Sequence, residues 1–540
     1  MRNNRILITQ LGFPTGAKEK RAFLTNPDNK VTTFMVKALE TQYISGGTHN
    51  NKKITDCTIL FQGDVKIVQD DFGTFGIMDF SPLDTPGLYQ IVAGNQQSHP
   101  FFIRSDLYLR TAYETFYYSH IQRCGCEIPG WHQACHLDDA RVENTDGHVD
   151  AVGGWHDAGD LRKWVDHTLW QAIGMLWAKK RWGVVWKGFS GDDILDELTW
   201  GNRYFLKMQD PDTGLVWHDV GGEECDNTWT NGVSGDGDDR YINTAVHPHI
   251  QFKFSWVQAM IGKAFETCDP SYNLICHEAS NRAYDAAMAF YNIEDLDTLS
   301  LSLALLAASE RYSSTSEPSM LENSRKTLDQ LLSRQETSYT HGQQQYKGYF
   351  YNNSTKKTIF SDWWQSSLLP FALANAISYL PETDKEKANY ALRMYMDEYL
   401  LPLSRTNVFG IIPVLTVLQE STHDIYRNLA GDLKFRYFLP CLSSKDSPPE
   451  FVRYGQGTNT HILGQAAVLL HCYRLFGNEE YKTVALKQLE WVHGANPTGV
   501  CLVSCRGTVN VYPHSRYMGI IPGGIFNGIT GDAQDQPHLG

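Results

Sequence analysis

Residues 153–160 read Gly153-Gly154-Trp155-His156-Asp157-Ala158-Gly159-Asp160, two carboxylates three residues apart among glycines and beside an aromatic ring. Such a pair can ligate a metal, take a proton from water, or cap a helix. The following stretch, Leu161–Trp182, has the strongest helical periodicity in the chain. An N-cap role for Asp160, with Asp157 shaping the turn, is therefore the ordinary expectation. Carboxylates at a helix N-terminus are held ionised by free N–H groups and the positive end of the dipole, so both should accept protons rather than donate them. Gly153, Gly154 and Gly159 permit close backbone approach, and Trp155 offers a ring face to a ligand. One aspartate would then deprotonate a water that the other orients.

Two further clusters carry metal chemistry. Cys124, Cys126, Cys135 and His136 fall in one short segment, "RCGCEIPGWHQACH". Thiolate and imidazole suit tetrahedral zinc, while free buried cysteines or a disulfide are the alternative. Asp236, Asp238 and Asp239 in "GDGDDRY" supply oxygen donors suited to calcium, but their spacing is not that of an EF-hand, and a solvated acidic turn explains them equally well.

The elements that must position these groups change character along the chain. From residue 5 to 104, short apolar runs such as "RILITQLGF", "RAFLTN", "TTFMVKAL" and "GLYQIVAG" alternate with Gly, Pro, Asn and Asp turns, the pattern of an immunoglobulin-like β-sandwich. Beyond it, Tyr108–His120, Leu161–Trp182, Asp192–Met208, Phe252–Cys268, Asn281–Tyr291, Leu299–Arg311, Trp363–Leu380, Lys385–Leu400, Thr460–Phe476 and Glu480–Val492 repeat apolar residues at three- and four-residue spacing. The expectation is a multidomain chain, an all-β domain over residues 1–105 and a closed all-α domain over 106–540, with function in the loops between helices.

Composition narrows the partners. A formal charge of −14 disfavours nucleic acid and anionic membranes, which require concentrated Lys and Arg, and points to a neutral substrate. An aromatic content of 12% supplies flat apolar faces of the kind that sugars stack on, although most such rings belong to cores. No apolar run reaches the ~18 residues of a membrane span, and the N-terminal segment lacks an apolar stretch typical of a signal peptide. Eleven cysteines in a chain of this size do not decide the compartment.

"GGWHDAGDLRKW" resembles the catalytic loop of glycoside hydrolase family 9, the inverting cellulases. "ILITQLGF" is similar to the opening strand of that family's N-terminal immunoglobulin-like domain. "DILDELTWGNRYFLKMQDPDTGLVWHDV", "GDGDDRY" and "WVHGANPTGVCLVSCRGTVNVYPHSR" resemble further family segments, in the expected order. The resemblance implies an (α/α)6 barrel with a long cleft, Asp160 as general base and Asp157 as its partner on the water. It also implies sugar contacts from His514 and Arg516, a zinc site with a second histidine shortly after the aspartate pair, where Lys163 stands here, and structural calcium. No cofactor is required for the chemistry.

Inverting hydrolysis requires a second, protonated carboxyl group about 6.5–9.5 Å from the base. The family's acid is a glutamate in an aromatic segment that this chain does not reach before Gly540, so no acid is assigned. Truncation is the leading explanation; an impaired enzyme and substitution by Asp532 or Asp535 are the alternatives. The expected activity is cleavage of β-1,4-glucosidic bonds in cellulose or related β-glucans. The alternatives are an exo-acting β-glucosidase or glucosaminidase of the same family, and a carbohydrate-binding protein without catalysis. Family members are exported, which implies a secreted or periplasmic location; the absence of a signal peptide leaves the cytoplasm as the other expectation.

Overall fold

The structure is a computed structural model that describes residues 5–28, 30–39, 58–70, 72–182, 194–221, 229–338, 346–357, 359–360, 362, 365–413, 458–511, 519–531 and 537–539. An N-terminal β region is followed by a helical domain. Nine strands, β1 (Ile6–Leu7), β2 (Gly12–Phe13), β3 (Arg21–Thr25), β4 (Thr33–Ala38), β5 (Ile59–Asp70), β6 (Gly73–Asp79), β7 (Gly87–Ala93), β8 (Gln96–Gln97) and β9 (Phe101–Ile103), precede the first helix. β5 pairs with β4 through its first half and with β6 through its second, so one long strand joins the two halves of the sheet. Alternation along β3, β4 and β7 sends Ala22, Leu24, Phe34, Val36, Tyr89 and Ile91 into a common core with Phe13, Phe80 and Phe101.

The helical domain contains α1 (Leu109–Ile121), α2 (Val165–Trp182), α3 (Ile194–Lys207), α4 (Pro248–Phe265), α5 (Pro270–Phe290), α6 (Thr298–Thr315), α7 (Pro318–Ser333), α8 (Leu368–Tyr379), α9 (Glu382–Tyr395), α10 (Asn459–Phe476) and α11 (Glu479–Val492). Sequential pairs α4–α5, α6–α7, α8–α9 and α10–α11 pack as hairpins, while α4, α6 and α8 pack side by side. The even-numbered members of these pairs are inner helices. α4 buries Phe252, Phe254, Trp256 and Val257 around most of its circumference, and α6 does the same with Leu301, Leu303, Leu305 and Leu306. α5 buries one stripe only, Cys276, Ala279, Ser280, Ala283, Tyr284 and Ala287, as an outer amphipathic helix does. Asp269 and Asp297 cap α5 and α6 by accepting hydrogen bonds from the N–H groups of Tyr272 and Ser300.

α7 is not visible as an apolar period, because its buried face mixes Met320, Leu328 and Leu331 with Ser324 and Thr327. The helix expected from Leu161 begins at Val165 instead. Lys163–Trp164 form strand β11, which pairs antiparallel with β12 (Asp219–Gly221). β12 pairs with β13 (Tyr241–Asn243), and β13 with β10 (Arg141–Val142), giving a small four-stranded sheet beside the aspartate loop. Gln10 ties the β region to the helical domain: its side-chain N–H groups reach the carbonyls of Gly499 and Val509 at 2.9 and 3.1 Å, and its oxygen accepts from the Thr508 and Val509 N–H groups at 2.7 and 2.8 Å. Among the described residues, no helix is long and apolar enough to cross a membrane.

Candidate active site and metal centre

The aspartate loop is held from several directions. Gly153 and Gly154 adopt φ of 103° and 78°, and a Cβ on Gly154 would sit 2.6 Å from the Tyr204 ring, so both the turn and the close approach require glycine here. The Gly154 carbonyl accepts from the Cys124 N–H at 2.8 Å and from the Trp200 indole at 3.0 Å. Lys163 is fully buried, and its ammonium donates to the carbonyls of Ala151 and Gly153 at 2.7 and 3.1 Å while pairing with Asp139 at 2.6 Å. Asp139 also takes two hydrogen bonds from Arg240, whose remaining nitrogen donates to the Leu161 carbonyl at 2.5 Å. A triad of buried charges thus grips the loop on both sides of the aspartates.

Trp155 is not a sugar face. Its ring is fully buried against α3, in the space left by Gly201, where a Cβ would lie 1.9 Å from the ring. Its indole N–H donates to Glu197 at 2.7 Å. Glu197 also accepts from His120 at 3.1 Å and from Arg123 at 2.7 Å. Burial pushes the Glu197 carboxyl up, but the hydrogen bonds from His120 and Arg123 outweigh it and leave the pKa below its usual value.

Asp157 and Asp160 are half-buried and precede β11, four or more residues before α2 starts. The N-cap expectation for Asp160 therefore fails, because pairing with β12 claims the residues that would have formed the first helical turn. Asp166 is the acidic residue in that turn. The Asp157 N–H closes the loop onto the Arg162 carbonyl at 3.1 Å. One Asp157 oxygen lies 3.3 Å from Nδ1 of His167, and the other has no hydrogen-bond partner. Tyr118 faces both carboxylates: burial pushes its hydroxyl up to about 12, opposed by the hydrogen bond it accepts from Gln122 and reinforced, to a lesser degree, by the charges of Asp157 and Asp160. Beyond His167 an aromatic patch continues through Trp164, His218, His247 and His249, with ring centroids 4.9–5.6 Å apart.

The metal-type cluster is real, but its fourth member differs from the expectation. Cys124, Cys135, His136 and His156 are all buried, with donor atoms within 4.8 Å of one another. Cys124 Sγ lies 3.5 Å from His136 Nδ1 and 3.9 Å from Cys135 Sγ, and Cys135 Sγ lies 3.8 Å from His156 Nε2. Bond lengths of about 2.0–2.3 Å place tetrahedral zinc donors about 3.3–3.8 Å apart, so this set fits the ion closely. Cys126 is excluded: it stands outside the cluster, and burial raises its thiol to about 11. Burial alone would raise the Cys124 thiol, but its hydrogen bond with Cys135 and the charge of Lys163 hold it well below the usual thiol value. Burial lowers His156 to about 4, which keeps the imidazole neutral, as a ligand must be. The three cysteines of the segment are free rather than disulfide-bonded.

A second cluster brings Asp138 to Asp238 and Asp239. Asp236 is not in it and instead accepts from the Asn231 amide at 2.6 Å. Buried Oδ1 atoms of Asp238 and Asp239 have no hydrogen-bond partner. His514, Arg516, Asp532 and Asp535 lie outside the described residues. His156, Tyr118, His167 and Asp138 were not singled out by sequence reasoning. His156 adjoins Asp157 within the loop motif itself, and that adjacency was the available signal.

Residues 108–521 match the sequence profile of glycosyl hydrolase family 9. The chain belongs to glycosyl hydrolase family 9. It is 24% identical over 515 residues, covering 85% of this chain and 77% of the other, to a xyloglucan-specific endo-β-1,4-glucanase of Bacteroides ovatus. A cellodextrinase of Butyrivibrio fibrisolvens is 32% identical over 240 residues, 40% of each chain, and endoglucanase D of Acetivibrio thermocellus is 26% identical over 310 residues. The chain matches 40–45% of the length of these last two relatives. Among solved structures, a metagenome-derived family 9 endoglucanase superposes with a TM-score of 0.70 at 19% identity, covering 99% of this chain and 93% of the other. A Zn-binding triple mutant of family 9 endoglucanase J30 superposes with a TM-score of 0.68 at 20% identity, covering 95% and 89%.

Proposed function

We propose that this family 9 chain hydrolyses β-1,4-glucosidic bonds of cellulose or related β-glucans with inversion at the anomeric carbon. Its fold is read as an immunoglobulin-like sandwich over residues 1–105 followed by an (α/α)6 barrel. Asp160 acts as the base that deprotonates water, and Asp157 holds that water. The carrying observation is the Asp157 carboxylate, fixed on one side by His167 and offering an oxygen without a partner on the other, in a loop gripped by buried charges. Leaving-group protonation requires a carboxylic acid at a distance from this pair.

Cys124, Cys135, His136 and His156 hold a structural zinc ion that fixes the backbone immediately before Asp157. The oxygen-only set Asp138, Asp238 and Asp239 suits calcium. Neither ion takes part in bond cleavage.

The test is hydrolysis of a soluble β-1,4-glucan followed by NMR of the first product formed. The α-anomer is expected, and Asp160→Ala should lower kcat by about 10²–10⁴-fold with little change in KM. Full activity in that variant removes Asp160 as base. Viscosity that falls early relative to reducing-sugar release identifies internal cutting, whereas parallel change identifies exo action.

A further inference from the structure

Two sets of bonds fix the first turn of α2 next to the aspartate loop. On one side, β11 leads directly into the helix: Trp164 is the register partner of Asp219 on β12, and the Val165 N–H donates to the His218 carbonyl at 3.1 Å. On the other, both carboxylate oxygens of Asp166 are engaged by groups from α4 and from the segment before α8. Lys253, fully buried on α4, donates to the Asp166 carbonyl and to its Oδ1, both at 2.8 Å. Gln365 donates to Oδ2 of Asp166 at 2.9 Å and accepts from Lys253 at 3.1 Å. Charge-assisted bonds of this kind are directional, so the backbone is held immediately before and after Val165.

His167 follows Asp166 directly, and its ring is constrained as well. It packs against Trp164 with centroids 5.5 Å apart and planes inclined by 36°. Trp164 carries the Arg162 guanidinium 4.3 Å from its ring and meets His218 edge to face at 4.9 Å. Arg162 is tied in turn to Asp219 by bonds of 2.7 and 3.0 Å. With backbone and ring both held, Nδ1 of His167 comes to 3.3 Å from one oxygen of Asp157. The Asp157 side chain is only 11% exposed, so solvent is a poor substitute for that donor.

An aspartate carboxylate is poorly fixed by its own side chain, because its terminal torsion is broad and two-fold. Its direction is set by whichever donor is held rigidly beside it. We propose that His167 is a positioning residue for hydrolysis: its imidazole fixes the rotation of the Asp157 carboxylate, and so the direction in which the other oxygen holds the attacking water. The bond requires a proton on Nδ1. In this role His167 acts through Asp157 and exchanges no proton with the reacting groups. The inference rests on the reading of Asp157 as the residue that holds that water.

The experiment compares kcat and KM on one soluble β-1,4-glucan for the full chain and for His167→Leu, His167→Asn, His167→Gln and Asp157→Ala, with a melting temperature for each. The amide nitrogen of asparagine is as many bonds from Cα as Nδ1, and that of glutamine as many as Nε2, so asparagine alone restores the donor toward Asp157. His167→Leu and His167→Gln should lower kcat about 10–100-fold with KM within about twofold, and His167→Asn should stay within about threefold of the parent. The asparagine and glutamine variants carry the comparison even where leucine unfolds the protein. His167→Leu combined with Asp157→Ala should cost no more than Asp157→Ala alone. Unchanged kcat in His167→Gln, equal loss in the asparagine and glutamine variants, or additive losses in the double variant overturns the positioning role. A parent without hydrolysis, or full turnover in Asp157→Ala, overturns the reading of the aspartate pair and the inference with it, so the two failures are told apart.

Discussion

The half-buried aspartate loop and the buried inner helices α6 and α8 are held in opposite ways. α6 and α8 meet through leucine and alanine side chains, with Leu303, Leu305, Leu368, Leu369 and Leu373 inaccessible to solvent. The loop is held by directed bonds, donated by Lys163, Arg240 and Trp200 to its backbone carbonyls and accepted by Glu197 from the Trp155 indole. Apolar packing supplies stability without fixing any one atom, whereas charged hydrogen bonds supply position and lose heavily when a partner is removed. The aspartate loop is where position matters more than net stabilisation.

The strongest way to break this contrast is Asp139→Ala, which leaves Lys163 and Arg240 buried without their shared anion. A loss of about 3–5 kcal/mol is expected in denaturant melts, together with loss of turnover well below the melting transition. Leu305→Ala in α6 should cost about 2–5 kcal/mol through the cavity it leaves, but with kcat retained at a temperature where the variant is folded. If both variants lose turnover in proportion to stability alone, the distinction between positioning and packing fails.

A third test lies where α11 meets the β region. Glu490 is buried near Tyr108, Lys487, Glu19 and Arg21, and burial pushes its carboxyl up to about 8. Its folded pKa exceeds its unfolded value, so the native state binds the extra proton between these two values. Stability should fall as pH rises from about 4.5 to 8. Glu490→Gln should remove this slope and stabilise by up to about 4 kcal/mol at pH 8, with little change at pH 4.5, as read from melts across that range. The smallest effect is expected of Cys126→Ser, within about 0.5 kcal/mol and with metal content unchanged. His156→Ala, by contrast, should lose the zinc, as measured by elemental analysis.

The sequence exposed the helices where apolar residues recur cleanly, as in α3, α6 and α10, and the switch from strands to helices after Ile103. It concealed α7, whose buried face includes Ser324 and Thr327, since a hydroxyl that bonds back to the preceding turn packs as well as an apolar group but interrupts the pattern. It also extended α2 by four residues, because local helical preference carries no information about the pairing of Lys163–Trp164 with β12. For the metal cluster, neighbourhood along the chain favoured Cys126, whereas neighbourhood in space favoured His156, delivered by a loop twenty-one residues after Cys135. Trp155 illustrates the same limit in reverse: an aromatic ring in a glycine-rich motif is compatible with either side of the surface, and only Gly201 on α3 decides which.

His156 and Asp157 are consecutive residues, and Lys163 follows just after Asp160. The short span carrying both carboxylates is therefore suspended between two fixed points, a four-donor cluster upstream and a buried ammonium downstream. Residues around this span can change while the two carboxylates keep their places. The two anchors make the loop a self-contained part, held independently of whatever surrounds it.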